Sequence, residues 1–214
     1  LADRVEAVAR DILDAALALT GTQFARAVYE RFPGRLSPHP RIVTACLHAY
    51  GTEPSPGYWQ LRAGEDPQAT KTARAATVEQ LLVLGRRLGY DAGTDTTFDV
   101  TWCLYGEHRA LFCVRPSAAV GEALALGEAF AQRTGVPVAQ LYLVIPGSRA
   151  ALVREKLAHN PLWQRAVEGA GWRFIKYKHV HQLAGEPDVD EYVLRTIVGL
   201  DPIVERDGAQ IPLF

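Results

Sequence analysis

The sequence predicts an α/β protein of the α+β kind, with a helical block closed by a hairpin and then a domain built on a mixed sheet. Three observations carry this. Apolar residues recur at helical spacing three times before residue 51 and are followed by Pro54-Ser-Pro-Gly57 and a short alternating segment. Phe98–Leu104 and Ala110–Pro116 read as two strands of a β-hairpin. Gln140–Ile145 is a short continuous apolar run of the type found in a central buried strand.

The elements follow in order. Val5, Val8, Ala9, Ile12, Leu13, Ala16 and Leu17 predict a helix over 3–19 that stops near Thr20-Gly21. Thr22 is the expected cap of a second helix, with Phe24, Ala27, Val28 and Phe32 on one face and Pro33-Gly34 as its stop. Ser37 or Pro38 opens a third, with Ile42, Val43, Ala45, Cys46, Leu47 and Tyr50 inward and Gly51 at its end. Tyr58–Arg62 alternates as a strand. Three helices and a hairpin, in that order over 1–66, are the order of a winged helix, whose third helix enters the major groove while the hairpin touches the backbone. Arg35, Arg41, His48 and Arg62 are the expected contacts. Residues 1–70 hold seven Arg or Lys against eight Asp or Glu, a balance that also suits a protein-docking module.

Residues 64–76 are small and polar and mark the expected boundary. Thr77 is the expected cap of a helix bearing Val78, Leu81, Leu82, Leu84 and Leu88, stopped by Gly89. A polar loop from Asp91 to Thr96 leads to the hairpin, a long helix spans 118–134, and the run at 140–145 follows. Helices at about 148–158 and 161–169, a strand at Trp172–Tyr177 and a helical turn at Val180–Leu183 complete the second domain, 77–184. Pro187–Asp207 carries six acids against two arginines, so 185–214 reads as an acidic extension ending in an apolar tip.

Composition narrows the function classes. A chain of 214 residues with 48% hydrophobic and 22% charged residues is ordinary for a globular protein. The net charge of −1 excludes a bulk polycation, so contact with nucleic acid must come from a local patch. Cys46, Cys103 and Cys113 lie in apolar runs without a C-x-x-C pair, which suits buried thiols in a reducing compartment better than disulfides or zinc. No run of 18 apolar residues and no secretion signal is present, so a soluble, cytoplasmic protein is expected. The chain starts at Leu1 and contains no methionine, which suggests a trimmed product or a piece of something longer.

A metal-dependent phosphodiesterase places an acid at the end of one strand, a second acid on the adjoining strand, and a Lys or Glu two residues beyond it, on the same side of the strand. The carboxylates hold Mg²⁺, which stabilises charge on the phosphate and activates water. Leu84-Gly-Arg-Arg-Leu-Gly-Tyr90, Asp99-Val-Thr-Trp102 and Phe112-Cys-Val-Arg115 stand in the order of such motifs. Over about 77–184 the chain therefore resembles the PD-(D/E)xK restriction-endonuclease-like superfamily, in the branch found at the C-terminal parts of bacterial DNA-modification and defence proteins. Phe32-Pro-Gly34 and Gly57–Arg62 resemble the region preceding that domain.

The resemblance implies a restriction-endonuclease-like mixed-sheet domain after the winged helix, DNA as partner, and a methyltransferase or helicase portion upstream. It places Asp99 as the first metal ligand and Glu79 as the helix acid. Cys113 stands where the second carboxylate belongs, and Arg115 where the Lys or third acid belongs. Arg cannot act as a base at neutral pH, and its charge opposes Mg²⁺. The expectation is a catalytically inactive nuclease scaffold without a cofactor, serving as a nucleic-acid-binding or assembly module in DNA modification, repair or defence. The alternatives are an active Mg²⁺-dependent DNase with carboxylates from Glu79, Asp99 and Glu107 or Glu122, and a protein-docking adaptor.

Three further features bear on binding. Arg115 converts a metal pocket into a phosphate pocket through its forked donors. Arg173, Lys176 and Lys178 interleave with aromatics as nucleic-acid surfaces do, although an edge strand gives the same alternation with no partner. Gln210, Ile211, Leu213 and Phe214 end the chain in a pentapeptide similar to the one with which bacterial replication and repair proteins bind the β sliding clamp. Ser148 is the expected helix cap, and His179-x-His181 lacks a third ligand for a metal.

Overall fold

The computed structural model of the protein describes residues 1–34, 37–134, 140–190 and 198–200. They form a mixed α/β fold with two sheets. Helix α1 (Ala2–Ala15) buries Val5, Ala9 and Leu13 on one stripe. It ends four residues before the predicted stop because Leu19–Thr20 extends as a short strand, β1. Thr20, not Thr22, then caps α2 (Gly21–Glu30) with a capping box: its hydroxyl accepts the Gln23 N–H at 3.2 Å, and Gln23 Oε1 accepts the Thr20 N–H at 2.8 Å. Helix α3 (Pro40–Tyr50) opens later than predicted, with Pro40 in its first turn and His39 Nδ1 accepting the Arg41 N–H. Strands β2 (Gly51–Ser55) and β3 (Tyr58–Leu61) form the hairpin, and the small sheet runs β1-β3-β2, all antiparallel.

The expected boundary at 64–76 is mostly helix. Asp66 accepts the Ala69 N–H at 2.8 Å and caps α4 (Pro67–Arg87), which starts ten residues before Thr77. Its first half shows no apolar stripe because it is largely exposed, and its alanines favour helix without a core to pack on. After it, β4 (Asp91–Gly93) replaces the expected loop. Strands β5 (Val100–Leu104) and β6 (Glu107–Val114) join through Tyr105 and Gly106, both at positive φ, a two-residue turn whose twist matches the hairpin. Then come α5 (Gly121–Thr134), β7 (Gln140–Ile145), a 3₁₀ turn at Gly147–Arg149, α6 (Ala150–Ala158), α7 (Pro161–Ala170), β8 (Arg173–Lys176) and α8 (Tyr177–Gly185). The large sheet runs β4-β5-β6-β7-β8, antiparallel up to β6 and parallel from β6 to β8, the mixed sheet that the sequence predicts.

Alternation along β6 assigns the two faces of that sheet. Ala110, Phe112 and Val114 pack with Leu81, Leu84, Trp102 and Ile175 under α4 and α8. Leu111 and Cys113 point the other way, into a core that also contains Phe24, Val28, Val43 and Cys46 of the first block. The two blocks thus share one apolar interior. Helix α4 comes close enough to the sheet that a Cβ on Gly85 would lie 2.4 Å from the Trp102 indole nitrogen. That nitrogen donates to Leu81 O at 3.1 Å, and Tyr90, just after the left-handed Gly89, stacks on the same indole at 5.4 Å.

Buried charges also tie the blocks together. Lys156 of α6, fully buried, donates to Asp3 Oδ1 at 2.6 Å, to Ala118 O at 2.8 Å and to Glu6 Oε2. Glu6 Oε1 accepts from the Tyr50 hydroxyl and from the Ala118 N–H at 2.7 Å. Arg149 donates to Ala49 O and Glu65 Oε2 and lies 3.6 Å from the centre of the Tyr50 ring. Every charge in this network meets an opposite charge, which offsets the cost of its burial. No described helix is long and apolar enough to cross a membrane.

Candidate functional site at the carboxyl edge of the large sheet

The C-terminal ends of β6, β7 and β8 lie side by side, the edge of a parallel sheet at which α/β folds place ligands. Asp99 reaches this edge from the other direction. It precedes β5, and its own N–H donates to Phe112 O at 2.9 Å, which sets it beside Cys113. The Val114 N–H donates to Asp99 Oδ2 at 2.6 Å, and Arg74 Nη2 donates to Oδ1. Arg74 is anchored in turn, its Nε donating to Val114 O at 3.0 Å. Arg115 Nη1 stands 4.0 Å from Asp99 Oδ2, and Arg115 Nη2 is 4.0 Å from Glu122 Oε2. Glu122 is almost fully exposed, so the inner cluster is one carboxylate between two guanidinium groups.

Two neutral groups complete the cluster. Burial pushes the Cys113 thiol up to about 12, against the lowering pull of Arg115, so it carries no negative charge at physiological pH and cannot replace a carboxylate. The Tyr177 hydroxyl is buried with no hydrogen-bond partner among the described residues. Burial raises its pKa, opposed by Arg74, and Asp99 raises it further, which places the phenol in the field of the same cluster. Such a site has a net positive centre with forked donors. It suits an anion.

The structure therefore brings Asp99, Cys113, Arg115 and Glu122 together and leaves Glu79 outside. Glu79 is exposed on α4 and forms no hydrogen bond or ion pair among the described residues. Glu107 pairs with Arg109 at the opposite end of β6, seven residues and so about 23 Å from Val114. Arg74 lies in the small, polar segment whose composition predicts a boundary, and its place five residues before Glu79 on the same helix is the one signal that the sequence offers for it. Among the described residues no group of three or more His, Cys, Asp or Glu could hold a metal ion.

The other expected contacts separate. Arg41 and His48 lie on the exposed stripe of α3 with Thr44 between them. His48 meets Trp59 edge-on at 4.9 Å, while Arg62 Nη2 donates to His48 O at 2.9 Å and Gly51 O at 3.0 Å, so it closes the end of α3. Lys176 is buried and Lys178 exposed, and both line a cavity beside α6; Arg173 is at the other end of β8. His179 is buried, and exposed His181 bonds Gln80 at 2.9 Å. Ser148 caps no helix with its side chain, since its hydroxyl accepts from Arg149 at 3.2 Å. Arg35 and the terminal Gln210, Ile211, Leu213 and Phe214 lie outside the described residues.

Comparison with protein-family models finds no match for this chain, and comparison with curated proteins finds none either.

Proposed function

We propose that the protein is a non-catalytic nucleic-acid-binding or assembly module of a bacterial DNA-modification, repair or defence protein, a winged helix joined to a disarmed restriction-endonuclease-like domain. The observation that carries this reading is Asp99 held between Arg74 and Arg115. A divalent ion at that carboxylate meets two fixed positive charges, whereas a phosphate meets two forked donors. The order of strands around Asp99, antiparallel up to β6 and parallel after it, supports the scaffold. The helix–strand–helix–helix–hairpin order of the first block supports the winged helix, and Arg41, Thr44 and His48 at i, i+3 and i+7 give α3 one face free for a duplex.

The test has two arms. Supercoiled plasmid incubated with Mg²⁺ or Mn²⁺ remains uncut by the native chain. Metal-dependent cutting that Asp99→Ala abolishes would establish the nuclease alternative in its place. Fluorescence anisotropy with a labelled duplex shows binding that weakens linearly in log salt, and Arg74→Ala and Arg115→Ala each lower the slope by about one. A chain that binds no duplex or single strand even at low salt is a docking adaptor instead.

A further inference from the structure

The two arginines at the carboxyl edge of the large sheet are held against an acid, and that acid bears on which anion fits between them. Asp99 accepts from Arg74 at Oδ1 and from the Val114 N–H at Oδ2, 2.6 Å away, while Arg74 Nε is tied to Val114 O. The carboxylate is therefore fixed at the centre of the site. Arg115 Nη1 stands 4.0 Å from Oδ2, beyond hydrogen-bond distance, so an entering oxygen can take an Arg115 donor without first breaking a bond to Asp99. Two guanidinium groups and one fixed carboxylate sum to a single positive charge. Exposed Glu122, 4.0 Å from Arg115 Nη2, and exposed Asp95 stand farther out. Burial, opposed by Arg115, raises the Cys113 pKa, and Asp99, Asp95 and Glu122 raise it further, so the field of all three carboxylates reaches this point.

We propose that Asp99 makes this site select a singly charged phosphodiester within a strand over the doubly charged phosphate at a strand end. The proposal rests on the nucleic-acid-binding reading above and assigns Asp99 a role within it. A phosphate inside a strand carries one charge, which the centre balances. A terminal phosphate carries close to two, and its second charge meets Asp99 and, farther out, Glu122 and Asp95. Asp99 thus acts as a resident anion whose charge sets the limit on the incoming one.

Fluorescence anisotropy of the full chain with matched labelled oligonucleotides ending in 5′-hydroxyl or 5′-phosphate tests this. The native chain is expected to bind both within about twofold, since a phosphate end adds nothing that the site favours. Asp99→Asn, which keeps an acceptor for the Val114 N–H, tightens binding of both about tenfold, steepens the salt slope by about one, and prefers the phosphorylated strand by about fivefold or more. Adding Arg115→Ala to that variant removes the gain. Should Asp99→Asn fail to fold, Glu122→Gln at an exposed position shifts the same preference in the same direction by about threefold. A native chain that binds with salt dependence but prefers the phosphorylated strand tenfold, or variants that bind no tighter than the native chain, overturn the proposal and leave the nucleic-acid reading standing. Absence of binding by the native chain and by every variant overturns both.

Discussion

The join between the two blocks and the carboxyl edge of the large sheet use the same chemistry, a basic side chain set against acids, and differ in access. At the join, Lys156 and Glu6 are almost fully buried, and each has further partners in Ala118, Asp3 or Tyr50. At the edge, Arg74 and Asp99 keep 38% and 17% of their side-chain surface, and Arg115 stands 4.0 Å from both its carboxylates. The buried set is closed and can only hold the structure together. The open set has donor capacity left over, and donor capacity at a surface is what a ligand uses.

Breaking the join has the largest expected effect. Lys156→Met strands Glu6 and Asp3 without their cation, and a loss of about 3–5 kcal/mol in urea unfolding is expected, since removal of one partner leaves a buried charge uncompensated. A loss below about 1 kcal/mol would show that water reaches Glu6 and that the join is less closed than its geometry implies.

At the edge, Arg74→Ala is expected to cost only about 1 kcal/mol, because Asp99 retains the Val114 N–H and reaches solvent. Its effect on duplex affinity should exceed its effect on stability. If Arg74→Ala and Lys156→Met destabilise equally, the contrast between the two regions fails.

Thiols report on the same contrast with smaller effects. Burial pushes Cys46, beside the join, and Cys113, beside Asp99, up to about 12. Both are expected to resist a thiol reagent at pH 8 in the native protein, and half-exposed Cys103 to react first. Each buried thiol holds its proton more tightly in the folded chain than in the unfolded one, whose pKa is near 9. Its contribution to stability is therefore complete below pH 9 and is lost as the pH climbs from 9 towards 12. Cys113→Ser and Cys46→Ser should each reduce that alkaline loss, and an unchanged alkaline limb in both would contradict the burial.

Several elements were legible before the structure because their signal is local. The strand at Gln140–Ile145 matches its predicted bounds, and the segment around Asp99 and Phe112 pairs as a hairpin, because continuous apolar runs and strict alternation leave few other folds. The Gly85, Gly89 and Tyr90 spacing was visible as a motif, and the Trp102 indole gives it a physical reason. The first half of α4 was not legible. Its exposed alanines and threonines have no core to pattern against, so nothing periodic in the sequence singles out Arg74 among them.

By itself, the sequence determined most of the order of helices and strands, with β1, β4 and the first half of α4 excepted, together with the alternation that splits β6 between two faces and the absence of a second carboxylate at Cys113. Those properties depend on neighbours within a few residues. Only the tertiary structure decided that Arg74 rests on Asp99 across 25 positions of chain, that Lys156 closes on Glu6 across 150, and that Lys176 and Lys178 meet Arg154 at one cavity. Charged side chains carry no periodic signature of their partners. Which acid a given arginine or lysine meets depends on how the sheet and its helices pack, and that is set by the whole chain at once.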